Sequence, residues 1–396
     1  MSDGKKLRVL VVDDSVVIRR MLCDVIATDP SLEVVGTAPN GAIAVTRVQQ
    51  LNPDLVTLDV EMPEMDGLEA LGVLRKQHPR LPIIMFSTLT ERGATATIDA
   101  LTRGASDYVT KPANVGSVTA ACEAIRSELI PKIKALCGRR GAAPLSGVRT
   151  LPAPSGIRPL PPAQGARPAT SGVRTLPPPS GVRTLPPMSG VRTVAALPRG
   201  RVSAVVIGIS TGGPNALAAM LPGLVADLPV PVLIVQHMPP AFTALLADRL
   251  AKVAQLPVRE ATGGERLGPR QVWVAPGGSH LVVAGGGIGT NLRLNQDPPE
   301  NSCRPAADVL FRSAAAAFGG NVLGVVMTGM GADGQKGAEA IRAAGGSVIV
   351  QDEATSVVWG MPGSVVRAGA ADQVLPLDQI APEIVRRVRH GRTPSA

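Results

Sequence analysis

The sequence predicts two α/β domains, each built on a parallel β-sheet, joined by a long linker. Two observations predict the domains: short apolar, β-branched runs alternate with helical patterns before residue 130, and the same alternation resumes after residue 201. A third predicts the linker, because the segment between them repeats Pro and Arg without helical or strand periodicity. With 396 residues, 45% of them hydrophobic, the chain is long enough to bury two cores.

The first domain is expected over residues 5–130. Its five predicted strands lie at 9–12, 34–37, 55–58, 83–86 and 108–109, with helices between and after them. This order predicts a flavodoxin-like, doubly wound sheet of five parallel strands. Its site is expected at the carboxyl ends of those strands.

Acidic and polar side chains stand at these predicted strand ends. Asp13 and Asp14 follow the first strand, Asp59 the third, Ser87 the fourth and Lys111 the fifth. Clustered carboxylates repel one another unless a cation lies between them, and their hard oxygen ligands suit Mg²⁺. With that charge neutralised, Asp59 can attack a phosphoryl donor, and Ser87 can hydrogen-bond the added oxygens.

Residues 7–130 resemble the receiver domain of two-component response regulators. The resemblance rests on VVDDS at 11–15, LDVEMP at 58–63, the pair Asp66-Gly67, and TKP at 110–112. It implies that Asp59 is the phosphorylation site. The implied Mg²⁺ ligands are Asp13, Asp14, Asp59 and the backbone carbonyl of Glu61.

The same resemblance implies a set of switch residues. Ser87 would be the conformational hydroxyl, Tyr108 the aromatic rotamer switch, and Lys111 the charge partner of the acidic residues. Thr88 is the alternative hydroxyl, since strand register decides which of the two side chains points inward. We choose Ser87.

The linker, expected to be disordered over residues 138–200, carries the net charge. It holds nine arginines and no Lys, Asp or Glu, which accounts for all of the formal +9 of the chain. Ser-Gly-Val-Arg-Thr recurs within it, starting at 146, 171, 180 and 189. With four Phe, one Tyr and two Trp in the chain, stacking platforms for nucleic acid are not expected.

The second domain is expected over residues 201–392. Strands are predicted at 204–209, 232–235, 272–274, 322–327 and 347–350, and a hairpin joins 282–284 to 292–294 across Gly285-Gly286-Gly287. At least five strands are therefore expected, in a second Rossmann-like α/β fold.

The first strand of this domain ends in GISTGGP at 208–214. The spacing of Gly208, Ser210 and Gly212 matches a nucleophile elbow, in which a serine stands on a tight strand-to-helix turn. Glycines before a helix also make phosphate-binding turns, so a nucleotide-binding module is the alternative. The spacing alone leaves both open.

Two further strand ends favour catalysis. His237 follows the second strand of this domain, and Asp333 lies in a Gly-rich turn after the strand at 322–327. A serine nucleophile needs a base, and the base needs an orienting acid. The other histidines, His78, His280 and His390, are expected to be solvated or structural.

Residues 202–390 resemble the CheB family of chemotaxis protein-glutamate methylesterases. The resemblance rests on GISTGGP at 208–214, QHMP at 236–239, RPAADVLF at 304–311 and MTGMGADG at 327–334. It implies Ser210 as nucleophile, His237 as general base and acid, and Asp333 as the orienting carboxylate. The Met330 backbone N–H becomes an oxyanion donor, with Thr211 beside it.

The family implies a phosphorylation-activated esterase that demethylates glutamate methyl esters of methyl-accepting chemotaxis receptors and deamidates receptor glutamines. The resting first domain would cover the catalytic cleft. A histidine kinase of the chemotaxis pathway would be the phosphodonor. No cofactor is expected in the esterase site, and no nucleic acid as partner.

The cellular setting is also predicted from the sequence. No signal peptide or membrane-spanning run is expected, and the four cysteines lack metal or disulfide spacing. These features predict a cytoplasmic protein that associates with receptor arrays without inserting into the membrane. A DNA-binding response regulator is the remaining rival, with the Arg repeats as its contact surface.

Overall fold

The protein was analysed as a computed structural model, which describes residues 5–112, 117–138, 201–286 and 289–390. The predicted Arg-Pro linker therefore lies outside the described residues, except for Gly138. The two α/β domains predicted on either side of it are both present.

The first domain is a sheet of five parallel strands in the order β2-β1-β3-β4-β5. Its strands are β1 (Leu7–Val12), β2 (Leu32–Ala38), β3 (Leu55–Asp59), β4 (Ile83–Ser87) and β5 (Asp107–Thr110). Its helices are α1 (Val16–Ala27), α2 (Gly41–Leu51), α3 (Gly67–Gln77), α4 (Glu91–Thr102) and α5 (Val118–Cys137). The predicted flavodoxin-like order is confirmed.

Local chemistry sets where these helices begin. Ser15, Asn40, Asp66 and Thr90 each precede a helix, and each side chain accepts a hydrogen bond from a backbone N–H of its first turn. At α3 the bond is reciprocal, since the Glu69 side chain also accepts from the Asp66 backbone N–H. The caps place these helix starts just after strand ends, where the predicted site lies.

The second domain contains a sheet of seven parallel strands in the order β14-β13-β12-β6-β7-β9-β8. Its strands are β6 (Ala204–Ile209), β7 (Val232–Gln236), β8 (Val258–Glu260), β9 (Val272–Val274), β12 (Val322–Val326), β13 (Ser347–Gln351) and β14 (Gln373–Leu375). A separate antiparallel hairpin pairs β10 (His280–Ala284) with β11 (Asn291–Asn295). The helices are α6 (Gly213–Met220), α7 (Pro240–Ala251), α8 (Ala307–Phe318), α9 (Gln335–Ala343), α10 (Gly360–Arg367) and α11 (Leu377–Arg389).

Strand β6 lies in the middle of this sheet, between β12 and β7. All six of its residues are buried, which matches its continuous apolar sequence. The chain leaves β6 toward β7 on one side and returns to β12 on the other. This reversal is the switch point at which ligands bind in open α/β sheets.

The two domains contact each other through α4 and β5 of the first and α6 and α7 of the second. The rings of Tyr108 and Phe242 stack, with centroids 5.0 Å apart and planes inclined by 14°. The Asn215 side chain donates to the Ala105 carbonyl at 3.0 Å, and Arg249 donates to the Asn215 side-chain oxygen at 2.9 Å. Strand β5 therefore faces the second domain.

Within the described ranges, no helix is both long and apolar enough to cross a membrane. The four cysteines are free thiols, of which Cys137 is buried and the other three partly buried.

Candidate active site and acidic site

The esterase-type residues predicted from sequence lie at the ends of three neighbouring strands. Ser210 directly follows β6, His237 follows β7, and Asp333 lies in the turn between β12 and α9. Ser210 and His237 line the same cavity. Parallel strands thus bring to one sheet edge three side chains that are far apart in sequence.

His237 and Asp333 form a direct pair. The Nε2 of His237 lies 2.7 Å from Oδ2 of Asp333, and the Asp333 side chain is 2% exposed. An ionised carboxylate can only accept hydrogen bonds, so Asp333 holds the imidazole with its proton on Nε2. Nδ1 is then the nitrogen that can accept a proton from a nucleophile.

Asp333 is held by backbone donors as well as by His237. The N–H groups of Ala307 and Asp308, at the start of α8, donate to it at 2.6 and 3.0 Å. Since Ala306 provides no side-chain cap for α8, Asp333 supplies the acceptor from another element. Burial opposes ionisation of this carboxyl, but His237 and the N–H donors outweigh burial and hold the pKa of Asp333 below its ordinary value.

The charge on Asp333 acts on His237 in turn. Burial disfavours the charged imidazole, yet Asp333 and then Cys303 outweigh burial and raise the pKa of His237. Asp333 therefore makes His237 a stronger base than a free imidazole.

Ser210 stands in a turn that backbone contacts define closely. Its N–H donates to the Thr328 carbonyl at 2.9 Å, and its own carbonyl accepts from Gly213 at 2.8 Å. Gly212 has a φ of 77°, a conformation that glycine adopts without strain. Among the described residues no hydrogen bond joins Ser210 to His237, so the structure brings them to one cavity without a finished catalytic contact.

The two expected neighbours of Ser210 are also near the cavity. Thr211 is buried and lines it, and its carbonyl accepts from the Thr328 hydroxyl at 2.9 Å. Met330 lines it as well and remains 36% exposed.

The first domain forms part of the same cavity, whose volume is about 640 Å³. Five of its residues stand in the wall: Asp107, Tyr108, Thr110, Glu128 and Lys132. Lys132 lies 2.8 Å from Glu128 and 3.7 Å from Asp107. The docked first domain therefore closes one side of the space in front of Ser210.

Sequence reasoning missed three residues of this site. Asn301 donates to Asp333 and Asp308 at 3.0 and 2.9 Å, so it ties two buried carboxyl groups together. Cys303 lies with its Sγ 3.6 Å from Nδ1 of His237. Asn301 and Cys303 do not directly follow a strand, so the strand-end argument does not find them. Asp308 lies within the motif at 304–311, but sequence patterns provide no reason to assign it a role.

The acidic residues at the strand ends of the first domain lie close together. Carboxylate oxygens of Asp13, Asp14 and Asp59 all lie within 4.8 Å of one another. Nζ of Lys111 lies 2.9 Å from Asp13 and 2.8 Å from Asp59. The strand ends thus converge on one crevice, where the ammonium of Lys111 contacts two of the three carboxyl groups.

Burial and crowding shift the acids of this site. Burial, followed by the charge of Asp13, raises the pKa of Asp59 to about 6, although Lys111 opposes the shift. Burial also raises the pKa of Asp13. The single positive charge of Lys111 does not offset the cost of burying ionised carboxyl groups. The donor atoms are all oxygens and Asp14 is exposed, which fits a hard divalent cation such as Mg²⁺.

The residues predicted to act as a switch adopt defined positions. The Ser87 side chain is buried and its hydroxyl lies 3.0 Å from the Gly93 carbonyl and 3.3 Å from the Thr88 carbonyl. Thr88 is less buried and pairs with the Thr90 hydroxyl at 2.9 Å. Tyr108 is buried in the domain interface against Phe242.

The chain is similar to proteins of two known families. The family model described as CheB methylesterase matches residues 205–384, and that of the response regulator receiver domain matches residues 9–123. A protein-glutamate methylesterase/protein-glutamine glutaminase of Nocardioides sp. is 52% identical over 387 residues, covering 98% of this chain and 96% of that protein. A protein with the same name from Trichodesmium erythraeum is 47% identical over 383 residues, covering 97% and 99%.

Among solved structures, the Thermotoga maritima CheB methylesterase catalytic domain is 41% identical to the part it matches. The match covers 47% of this chain and 99% of that one, with a TM-score of 0.46.

Proposed function

Since this chain belongs to the family of CheB methylesterases that carry a response regulator receiver domain, we propose that Ser210 hydrolyses protein glutamate methyl esters under control of Asp59. The substrates are methylated glutamates of chemotaxis receptors. The observation that carries the proposal is the buried His237–Asp333 pair. Its two residues follow the strands on either side of the one that Ser210 follows.

The reaction uses the proton arrangement that Asp333 imposes. His237, neutral and protonated on Nε2, takes the Ser210 hydroxyl proton on Nδ1 while Oγ attacks the ester carbonyl. The tetrahedral intermediate collapses, methanol leaves with the proton from Nδ1, and the acyl group stays on Oγ. Water then attacks with the same base, which releases glutamate and restores Ser210.

Negative charge on the carbonyl oxygen needs preorganised donors during these steps. We assign this role to the Met330 backbone N–H, with the Thr211 backbone beside it, since both residues line the cavity around Ser210. The N-terminus of α6 directly follows this turn, so its dipole also favours a negative oxygen.

The same acyl chemistry deamidates receptor glutamine, with ammonia in place of methanol. The names of the relatives include this glutaminase activity. Either reaction adds one negative charge to a receptor, which changes the balance between its signalling states.

Regulation follows from the docked receiver domain. Because Tyr108, Lys132 and their neighbours form one wall of the cavity, they hinder entry of a receptor helix to Ser210. A phosphoryl group on Asp59 would draw the Ser87 hydroxyl from the Gly93 and Thr88 carbonyls and let Tyr108 turn inward. The stack on Phe242 would then be lost, and the cleft would open.

Phosphorylation needs a cation and a donor. Asp13, Asp14 and Asp59 would hold Mg²⁺, which supplies positive charge to the incoming phosphoryl oxygens. Lys111 contacts two of these carboxylates and provides a second positive charge. The donor is the histidine kinase of the pathway, and the enzyme works where receptor arrays present their methylated helices.

Methanol release from methylated receptor membranes tests the nucleophile. Ser210→Ala is expected to lose activity by about 10³-fold or more, because no other group can form the acyl intermediate. Ser31→Ala, at an exposed serine that does not line the cavity, is the matched control and stays at the wild-type rate. Full activity in Ser210→Ala would refute the assignment.

A further inference from the structure

Cys303 lies beside the catalytic imidazole. Its Sγ is 3.6 Å from Nδ1 of His237, while Nε2 of the same ring is paired with Asp333 at 2.7 Å. Cys303 lines the cavity that Ser210 lines, and it is the sole cysteine of the sequence beyond residue 137. Both ring nitrogens of His237 are therefore engaged in the docked enzyme.

A strained two-residue turn fixes this contact. The backbones of Glu300 and Cys303 pair with each other at 2.9 and 3.1 Å, and the two residues between them, Asn301 and Ser302, have φ values of 53° and 62°. Such values cost energy for residues other than glycine, so surrounding contacts must hold the turn. Asn301 does so through its bond to Asp333, which means that one turn contacts both partners of the pair.

Nδ1 is also the nitrogen that Ser210 needs. In neutral imidazole with its proton on Nε2, Nδ1 offers one lone pair in the ring plane. A thiol that donates to it uses that lone pair. Ser210 therefore cannot pass its proton to His237 while Cys303 remains in contact.

We propose that Cys303 is a positioning residue that withholds Nδ1 of His237 from Ser210 in the docked enzyme and so lowers the basal esterase rate. This inference rests on the proposed roles of Ser210 and His237. It accounts for the absence, among the described residues, of a hydrogen bond between Ser210 and His237. Catalysis then begins when the serine hydroxyl replaces the thiol at Nδ1.

Steady-state methanol release by the full-length, unphosphorylated protein tests this proposal. Cys303→Ala and Cys303→Val both remove the hydrogen-bonding group, and kcat is expected to rise roughly two- to tenfold, the range that one lost hydrogen bond allows. KM stays unchanged, because the thiol competes with Ser210 and not with the substrate. Cys303→Ser restores a donor and returns kcat to near the wild-type value.

The controls separate this proposal from the proposed function. Thermal melting of each variant reports whether it is folded, and Cys23→Ala provides a cysteine substitution in the receiver domain, outside the cavity. If kcat of Cys303→Ala and Cys303→Val is equal to or lower than that of the wild type while Ser210→Ala is inactive, Cys303 does not withhold the base. The proposal is then wrong. If Ser210→Ala is active, the proposed function itself fails.

Discussion

Tyr108 of the receiver domain stacks on Phe242 of the esterase domain, with ring centroids 5.0 Å apart and planes inclined by 14°. Nζ of Lys132 lies 5.1 Å from the Tyr108 centroid, on the receiver side. Tyr108 follows Asp107 at the start of β5, the strand that leads to Lys111 of the acidic site. One short strand thus connects the acidic site to the wall of the cavity that Ser210 lines.

Weakening the interface elsewhere should raise basal activity. Asn215→Ala removes the hydrogen bonds to the Ala105 carbonyl and to Arg249. Each such bond is worth roughly 0.5–1.5 kcal/mol, so we expect methanol release without a phosphodonor to rise about two- to tenfold. Gln255→Ala is the matched control, since it removes an exposed side-chain hydrogen bond to the Pro222 carbonyl within the second domain. An unchanged rate in Asn215→Ala would contradict inhibition by docking.

The backbone around Ser210 should not tolerate a methyl group at Gly329. A Cβ there would lie 2.8 Å from Cβ of Ser210 and would also meet Sδ of Met361. Displacing Ser210, the proposed nucleophile, is expected to lower kcat on the order of 10²-fold. Gly72→Ala, whose Cβ would have no atom within 4 Å, should leave the rate unchanged. Wild-type kcat in a folded Gly329→Ala variant would show that the turn is not critical.

The proton on His237 should depend on Asp333. Asp333→Asn removes the negative charge that favours imidazolium, so the pKa of His237 falls, which NMR titration of the ring can measure. The amide also disturbs the Nε2–H tautomer, so kcat should fall by about 10³- to 10⁴-fold. Asp297→Asn, at an exposed carboxyl, serves as the control. A pKa of His237 that does not fall would contradict the pairing.

The acidic site should respond to Mg²⁺ through the protonation of Asp59. The pKa of Asp59 is raised from 3.8 to about 6. Because the unfolded chain ionises this carboxyl first, the metal-free fold loses stability as pH rises between these two values. Mg²⁺ favours the ionised carboxylate and should lower the pKa and remove this cost. NMR titration of the carboxyl with and without Mg²⁺ measures the shift, and Asp59→Asn identifies the signal. A titration that Mg²⁺ does not move would exclude a metal ligand at Asp59.

Much of the fold follows from the sequence because both sheets have strongly patterned strands. The apolar run at β6 predicts its observed bounds, and the predicted strands of the receiver domain each agree with the structure to within two residues at either end. Strands β8 and β14 are not predicted individually. Each has three residues, including Arg259 and Gln373, so neither gives an apolar run long enough to stand out.

The candidate site, too, is only partly predictable from the sequence. Strand ends of a parallel sheet converge, so the sequence alone is enough to group Ser210, His237 and Asp333. Asn301 and Cys303 reach the site through a turn with positive φ angles, which no periodic pattern signals. The stack of Tyr108 on Phe242 depends on how two domains dock, and sequence patterns do not give that arrangement.

The most direct test of the switch compares methanol release from methylated receptor membranes with and without a small-molecule phosphodonor in the presence of Mg²⁺. The wild-type rate should rise on phosphorylation, Asp59→Ala should stay at its basal rate in both conditions, and Ser210→Ala should be inactive in both. A phosphodonor response that persists in Asp59→Ala, or hydrolysis that persists in Ser210→Ala, would contradict the account.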